Sequence, residues 1–308
     1  MKNVLVLGIN GTIGRHSSIA LKSQGFTVSA LMRDPKKLSD DLAGIQITQG
    51  DVTDRERLEF ACDGVDAIVY GINPPNYDWR EKAMAYLEPV AEQAEKRGLT
   101  LMFPGNVYGF DPAEQSTFDE QDEQHPHTEK GAIRKAMEQR LQVAASRGAK
   151  VIILRMGDFI APNAKSAWLS SLISHGKKQT IIRSPGSETM HRSWAYVPDA
   201  AEVVVKLLQR SDELEGFNLF HLKGLQLSIS DIARAMEDVS KQAVIIKSFP
   251  WWAIRIAAPF STLFKGLLEM RYLWDEELFL SDEKLQTFLH GDVPATDIKT
   301  ALRQSCLV

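Results

Sequence analysis

The sequence contains little cysteine. Cys62 and Cys306 are the two cysteines among 308 residues, and they lie far apart in the chain. Small secreted domains that rely on disulfides carry many more, so this usage suits a reducing compartment. The first residues lead straight into an apolar run and show no signal-peptide pattern. We therefore expect a cytoplasmic protein.

The sequence also lacks a strong charge bias and a metal-ligand pattern. The formal net charge is −4 at pH 7, which gives no sign of a nucleic-acid partner, since such a partner needs a clustered basic face. His125 and His127 lie in the polar loop 111–127 without cysteine or acidic partners at ligand spacing, so we expect no metal site.

No uncharged apolar run is long enough to span a bilayer. The nearest candidate is residues 251–268, WWAIRIAAPFSTLFKGLL, which Arg255, Pro259 and Lys265 interrupt. Such a segment could lie in a membrane interface as an amphipathic helix. Its moderate length and central proline favour instead a helix that packs over a substrate pocket or the core.

Short apolar runs alternate with amphipathic segments in the first half of the chain. The predicted strands are 3–8, 27–32, 44–50, 66–71, 99–105 and 150–156, and the predicted helices are 12–24, 35–42, 54–61, 78–97 and 128–147. This alternation predicts an α/β fold with a doubly wound parallel sheet.

The pattern loosens after about residue 155. Predicted helices near 164–175, 198–210, 228–239, 281–289 and 295–304 are separated by strand-like pieces around 180, 193, 218 and 244. We expect residues 1–155 to form a nucleotide-binding domain. Residues 156–308 then form a smaller α+β substrate-binding part, interleaved with the first domain.

The stretch VLGINGTIGRH carries the strongest functional signal. Gly8, Gly11 and Gly14 follow the first strand directly and open a helix, as in a Rossmann-type dinucleotide-binding fold. The glycines permit the tight turn, the close approach of a pyrophosphate and the packing of helix on strand. Unpaired N–H groups at the helix start then bind the pyrophosphate. The predicted contacts in this loop are Asn10, Thr12, Ile13 and Arg15.

The end of the second strand, ALMRDPKKL, predicts the cofactor. An enzyme that binds a free ribose 2′-hydroxyl usually has Asp or Glu there, whereas Arg33 comes first here and Asp34 second. A guanidinium binds a phosphate in bidentate fashion, so the order favours NADP and leaves NAD open. Asp51 and Val52 follow the third strand and are expected to border the adenine.

The segment GINPPNYDW follows the fourth strand, at the edge where the nicotinamide is expected. Gly71 and Asn73 are assigned to the cofactor. Tyr77 and Trp79 are predicted to line a substrate pocket, and packing at the helix start is the alternative. His127, Arg192 and Trp194 are further substrate candidates. Arg192 could bind an acidic substrate group or form a surface salt bridge.

These motifs together resemble the short-chain dehydrogenase/reductase superfamily, in its extended epimerase/dehydratase branch and its NmrA-like branch. The similarity covers nearly the whole chain. It includes FPGNVYG at 103–109, ILRMGDFIAP at 153–162 and RSWAYVPDAA at 192–201. It implies a nicotinamide-dependent oxidoreductase or epimerase. It also implies that a homodimer could form through the helices at 78–97 and 128–147.

The family's catalytic residues are replaced in this chain. The resemblance implies a Ser or Thr on strand five and a Tyr-x-x-x-Lys pair on the next helix. Those positions hold Pro104, Lys130 and Arg134. Asn106 could polarise a substrate carbonyl instead, and Tyr108 is a weaker catalytic candidate.

Three interpretations of the Lys-x-x-x-Arg pair remain open. Lys130 could act as the acid/base of hydride transfer to a small carbonyl or hydroxyl compound, with a pKa lowered by burial beside Arg134. The fold could instead bind NADP as a sensor with little catalysis, as some NmrA-like proteins do. Thirdly, both side chains could belong to an exposed helix face. An epimerase is a further possibility.

Overall fold

The protein is described here from a computed structural model, whose described residues are 2–74, 78–164 and 167–308. The strands are β1 (Asn3–Leu7), β2 (Thr27–Met32), β3 (Gln46–Gln49), β4 (Ala67–Tyr70), β5 (Thr100–Gly105), β6 (Thr117–Phe118), β7 (Lys150–Met156), β8 (Asp158–Ile160), β9 (Ile173–His175), β10 (Gln179–Ser184), β11 (Arg192–Tyr196), β12 (Phe217–Leu222), β13 (Leu225–Leu227), β14 (Ala243–Ser248) and β15 (Phe279–Leu280). The helices are α1 (Thr12–Ser23), α2 (Arg55–Ala61), α3 (Lys82–Arg97), α4 (Glu129–Ser146), α5 (Trp168–Leu172), α6 (Val197–Gln209), α7 (Ile229–Ser240), α8 (Trp251–Ala257), α9 (Thr262–Glu269), α10 (Glu283–Phe288) and α11 (Ile298–Gln304).

A seven-stranded parallel sheet forms the centre of the fold, in the order β12-β7-β5-β4-β1-β2-β3. This confirms the predicted α/β fold class. Helices α1 and α6 cover one face, and α2, α3 and α4 cover the other. The order reverses between β1 and β4, so a crevice opens at the carboxyl ends of these two strands.

The chain returns to the central sheet after a long excursion. Residues 157–216 lie between β7 and β12, and β12 then pairs with β7. The remaining elements form small sheets, β14-β10-β9, β13-β11-β8 and β15-β6, around an aromatic core that contains Trp194 and Trp274. Among the described helices, none combines the length and apolarity needed to cross a membrane.

The segment 35–42 differs from the prediction of a helix. It forms two short 3-10 turns, Pro35–Lys37 and Asp40–Leu42. Leu38 ends the first turn in extended conformation, with φ −61° and ψ 131°. The Asp34 carboxylate accepts from the Lys36 N–H and caps this turn. A capped turn and an extended residue leave too few residues for a stable α-helix.

A buried polar network joins α4 to the central sheet. Arg155 on β7 is fully buried, and its Nη2 donates to Glu138 Oε2 on α4 at 2.7 Å. Arg155 Nη1 donates to the Asn106 carbonyl at 2.5 Å, and its Nε donates to His221 Nε2 at 3.2 Å. Glu138 is 3 % exposed. The network therefore fixes the position of α4 along its axis relative to the carboxyl ends of β5 and β7.

The network should make stability depend on pH below neutrality. Burial, and then the charge of Arg155, lowers the pKa of His221 to about 3. The unfolded chain binds a proton near pH 6.5 and the folded chain does not, so stability falls as the pH drops from 6.5 toward 3. At about 1.4 kcal/mol per pH unit, His221 removes about 2 kcal/mol between pH 6.5 and 5.

Urea unfolding at pH 7.5 and at pH 5 tests this effect. In His221→Gln the loss of unfolding free energy over that interval should be smaller than in the wild type by about 2 kcal/mol. The matched control is the exposed His290, where His290→Gln should keep the wild-type pH dependence. Equal losses in all three proteins would show that His221 is not held neutral.

Candidate functional site

The glycine loop has the tight geometry that the sequence predicts for it. Gly8 has a φ of +72°, and a Cβ there would lie 2.4 Å from the Gly71 carbonyl oxygen. A Cβ on Gly14 would lie 2.3 Å from the Gly8 carbonyl oxygen. The start of α1 carries neither a side-chain cap nor an acidic residue in its first turn. Its N–H groups therefore present a positive helix end at the crevice, which suits a pyrophosphate.

Two alanine substitutions test how tightly this loop is packed. Gly14→Ala should cost about 3 kcal/mol of unfolding free energy, because backbone atoms block the new methyl group. Gly11→Ala should cost about 1 kcal/mol, since its Cβ would lie 3.1 Å from the Gly8 oxygen. Denaturant melts measure both values. A Gly14→Ala protein as stable as Gly11→Ala would contradict the described contact between α1 and β1.

Basic side chains lie at the end of β2. Arg33 is largely exposed, and its Nε is 3.9 Å from Asp51 Oδ2. The Asp34 carboxylate is directed at its own turn, where it accepts from the Lys36 N–H at 3.2 Å. The Asn10 side chain donates to the Lys37 carbonyl at 2.7 Å and ties this turn to the glycine loop. The guanidinium is thus more available to a ligand than the carboxylate is.

The other residues assigned to the cofactor occupy varied surroundings. Arg15 is paired with Asp41 at 2.6 Å. Asp51 accepts from the N–H and the hydroxyl of Thr53, so it caps a turn, and Val52 is buried beside it. Thr12 and Ile13 stand in the first turn of α1. Gly71 packs against the glycine loop, and Asn73 beyond it is exposed.

Lys130 and Arg134 are both buried in the first turns of α4. Their exposed fractions are 7 % and 8 %, which excludes an exposed helix face. Thr128 caps the helix by accepting from the Gly131 N–H. A Cβ on Gly131 would lie 2.3 Å from the Tyr108 carbonyl oxygen, so the helix start lies tightly against the loop that follows β5. Lys130 therefore lies at the edge of the sheet where the strands end.

A carboxylate from the C-terminal part holds Lys130. Glu269, the last residue of α9, accepts from the Lys130 Nζ at 2.5 Å and from its backbone N–H at 2.7 Å. The side chains of the pair are 9 % and 22 % exposed. The sequence predicts that Lys130 lies beside a second cation, Arg134. The structure corrects this prediction, because the Lys130 Nζ contacts the carboxylate of Glu269. No motif in the sequence indicates Glu269.

Arg134 is directed into the protein. Its guanidinium lies over the Phe103 ring at 4.5 Å and 5.8 Å from the Trp79 ring. Its Nη2 donates to the Pro104 carbonyl, while its Nε has no hydrogen-bond partner among the described residues. Burial lowers the pKa of Arg134 to about 10, so the side chain stays charged at neutral pH. Arg134 thus contacts Phe103 and Pro104 and stabilises the end of β5.

Aromatic and amide groups lie near Lys130 and Arg134. The Tyr108 ring stacks on Trp79 with centroids 5.8 Å apart. The Asn106 Oδ1 accepts from the Tyr108 N–H at 3.1 Å, which orients the amide of Asn106. The Tyr272 hydroxyl donates to the Tyr108 carbonyl at 3.2 Å, and its ring contacts the ring of His127 edge-on. Tyr77, predicted to line the same pocket, lies outside the described residues.

Arg192 and Trp194 occupy different environments on β11. Arg192 is 6 % exposed, lies 3.8 Å from the Trp274 ring centroid, and donates from Nη2 to Asp158 at 2.9 Å. Its Nε and Nη1 have no partner within the described part of the chain. Trp194 is fully buried, and its indole N–H donates to the Leu227 carbonyl. Trp194 therefore packs the core, and we do not retain it as a substrate contact.

Over residues 2–74, 78–164 and 167–308, no group of three His, Cys, Asp or Glu side chains is placed to hold an ion. His127 Nδ1 lies 3.2 Å from Asp111 Oδ2, which forms a pair rather than a ligand set.

The glycine cradle, the open helix end and the crevice between β1 and β4 together suit a dinucleotide. The model of the NAD dependent epimerase/dehydratase family matches residues 4–220. The chain belongs to this family. It is a nicotinamide-dependent oxidoreductase or epimerase of that family.

Individual relatives are more distant. A (4-alkanoyl-5-oxo-2,5-dihydrofuran-3-yl)methyl phosphate reductase of Streptomyces griseus is 34% identical over 82 residues, which cover 27% of this chain and 29% of the relative. UDP-glucose 4-epimerase from Brucella ovis, solved with NAD, superposes with a TM-score of 0.75 at 17% identity. The match covers 100% of this chain and 98% of the epimerase. L-threonine dehydrogenase from Clostridium difficile superposes with a TM-score of 0.74 at 18% identity. The match covers 99% of this chain and 97% of the dehydrogenase. These two structures show the shared fold.

Proposed function

We propose that this family member is an NADP(H)-dependent oxidoreductase of a small carbonyl or hydroxyl compound that carries an anionic group. The observation that carries the proposal is the buried Lys130–Glu269 pair at the family's tyrosine position. A buried, paired lysine at the crevice is a group that can give a proton to a reacting oxygen or take one from it.

In the reductive direction, Lys130 acts as the general acid. Glu269 accepts from the Lys130 Nζ and fixes the direction of the side chain, so that Lys130 can give a proton to the oxygen of the substrate carbonyl. The amide N–H groups of Asn106 can donate to the same oxygen, a role that Pro104 cannot take. When bound, the nicotinamide cofactor supplies or accepts the hydride. The Tyr108–Trp79 stack limits access of water to this side of the site.

The choice of NADP rests on Arg33. Its guanidinium is exposed and weakly paired at 3.9 Å from Asp51, so it can bind a 2′-phosphate without breaking a strong contact. Asp34, which would serve NAD, is already engaged in capping its own turn. Arg15 contributes less, because Asp41 already neutralises it.

The choice of an anionic substrate rests on Arg192. A buried guanidinium with two nitrogens unpaired is costly, and a substrate carboxylate or phosphate would satisfy them. The name of the reductase from Streptomyces griseus contains a phosphate ester, so an anionic substrate is named for one relative of this chain. Epimerisation is the second candidate, favoured by the family to which the chain belongs.

Cofactor titration and a substrate panel test the proposal. Protein fluorescence should show tighter binding of NADPH than of NADH, and Arg33→Ala should remove most of that preference, about tenfold or more. The control Lys22→Ala, on α1 with its Nζ on the Ala43 carbonyl, should keep it. Oxidation of NADPH should then favour carbonyl compounds with a carboxylate or phosphate over their neutral analogues. Tight binding without any oxidation would favour a sensor.

A further inference from the structure

Two segments of this acidic chain contain no acidic residue. Residues 159–187 and 239–268 hold none of the 40 Asp and Glu residues. They hold eight of the 36 Lys and Arg residues, namely Lys165, Lys177, Lys178, Arg183, Lys241, Lys247, Arg255 and Lys265. The rest of the molecule is therefore strongly negative, and the positive charge is concentrated in two places in the sequence.

The fold brings the two segments together. Strand β10 pairs in parallel with β14, so Arg183 stands beside Lys247 on the same face of the small sheet. The Trp251 indole then donates to the Pro185 carbonyl and joins α8 to the same lobe. Among the described residues, Lys177, Lys178, Arg183, Lys247, Arg255 and Lys265 form no salt bridge. We call this lobe, residues 167–187 and 239–268, the basic lobe.

Large apolar side chains protrude from the basic lobe. Trp252 and Ile256 on α8 are 70% and 68% exposed, and Phe260 in the following 3-10 turn is 91% exposed. Their spacing of four residues places them along one side of the segment. No residue of α8 is buried. The sequence favours packing of this segment over a pocket or the core. In α8 this packing is seen on the side of Trp251, whose ring contacts the Arg271 guanidinium.

We propose that the basic lobe binds the surface of an anionic phospholipid bilayer. Exposed Trp, Ile and Phe would enter the boundary between headgroups and acyl chains, while the unpaired cations meet lipid phosphates. Charge argues against a second copy of the chain as the occupant. A two-fold contact through this face would bring the cations of both copies together, and neither basic lobe contains a carboxylate side chain to pair with them. The association is peripheral, since no described helix can span the membrane.

Flotation of the full-length protein with lipid vesicles tests the proposal. The protein should bind vesicles of phosphatidylcholine mixed with phosphatidylglycerol, and bind phosphatidylcholine alone much more weakly. Raised salt should release it. The double variant Lys247→Glu and Arg255→Glu should weaken binding at least about 30-fold, since each cation near an anionic surface contributes roughly fivefold. Trp252→Ser with Phe260→Ser should also weaken binding at least about tenfold.

Matched controls lie on other surfaces. Lys223→Glu with Arg303→Glu makes the same change in net charge, and Phe60→Ser removes another exposed aromatic ring, 67% exposed. Both should bind vesicles like the wild type, and thermal melts should show every variant folded. Failure of the wild type to bind anionic vesicles would overturn the proposal, as would equal losses in the controls. A dimer in sedimentation velocity that Trp252→Ser with Phe260→Ser dissociates, without vesicle binding, would assign the face to a second copy.

Discussion

Replacing Lys130 by methionine should lower kcat by about 10²–10⁴-fold, the usual contribution of a positioned general acid or base. Methionine keeps the length and apolar body of the side chain but cannot carry a proton. Affinity for NADPH should stay within about twofold, because the residues assigned to the cofactor lie in the glycine loop and after β2, β3 and β4. Initial rates at saturating NADPH measure the first effect, and fluorescence titration measures the second.

Lys135 provides the matched control for this substitution. It lies on the same helix, and its Nζ donates to the Gln124 carbonyl rather than facing the crevice. Lys135→Met should keep kcat within about threefold of the wild type. Glu269→Gln should fall between the two, since Lys130 remains but loses its anionic partner. Unchanged turnover in Lys130→Met would remove Lys130 from the chemistry.

Replacing Glu138 by alanine should cost about 3–5 kcal/mol of unfolding free energy, because it leaves the fully buried Arg155 without a counter-charge. Arg155 would keep the Asn106 carbonyl and His221 as partners, but neither carries a negative charge. The melting temperature should fall by on the order of 10 °C. Differential scanning calorimetry and urea unfolding measure both quantities.

A double-mutant cycle separates the ion pair from ordinary packing. In Glu138→Ala with Arg155→Met the buried charge is gone, so the double variant should be more stable than Glu138→Ala alone. The surface pair of Arg210 and Glu213 is the control, and Glu213→Ala should cost much less unfolding free energy than Glu138→Ala. A double variant that is less stable than Glu138→Ala by the full cost of Arg155→Met would contradict the coupling.

The sequence predicts the sheet and the glycine loop well because their signals are local. The apolar runs that became β1, β2, β4, β5 and β7 are each found within a few residues of their predicted limits. The close contacts of Gly8 and Gly14 follow from a turn whose residues are neighbours in the chain. The helix predicted at 35–42 was wrong because a local cap and one extended residue outweigh helix propensity in so short a segment.

The candidate site was less predictable because its partners are distant in sequence. Glu269 is 139 positions from Lys130 and lies in a segment with a mainly apolar pattern. The spacing of Lys130 and Arg134 places them on one helix face, but it does not reveal that Phe103 and Pro104 turn the guanidinium inward. The two unpaired nitrogens of Arg192 likewise result from tertiary packing against Trp274 and Asp158.

The most direct test of the proposed enzyme is a single-turnover measurement with NADPH already bound, made on the wild type and on Lys130→Met. Titration in the same preparations establishes that both proteins bind the cofactor. We expect equal occupancy, with oxidation of the bound NADPH on addition of an anionic carbonyl substrate in the wild type and a rate at least about 100-fold lower in Lys130→Met. Equal oxidation rates in the two proteins would contradict the assignment of Lys130 as the acid/base.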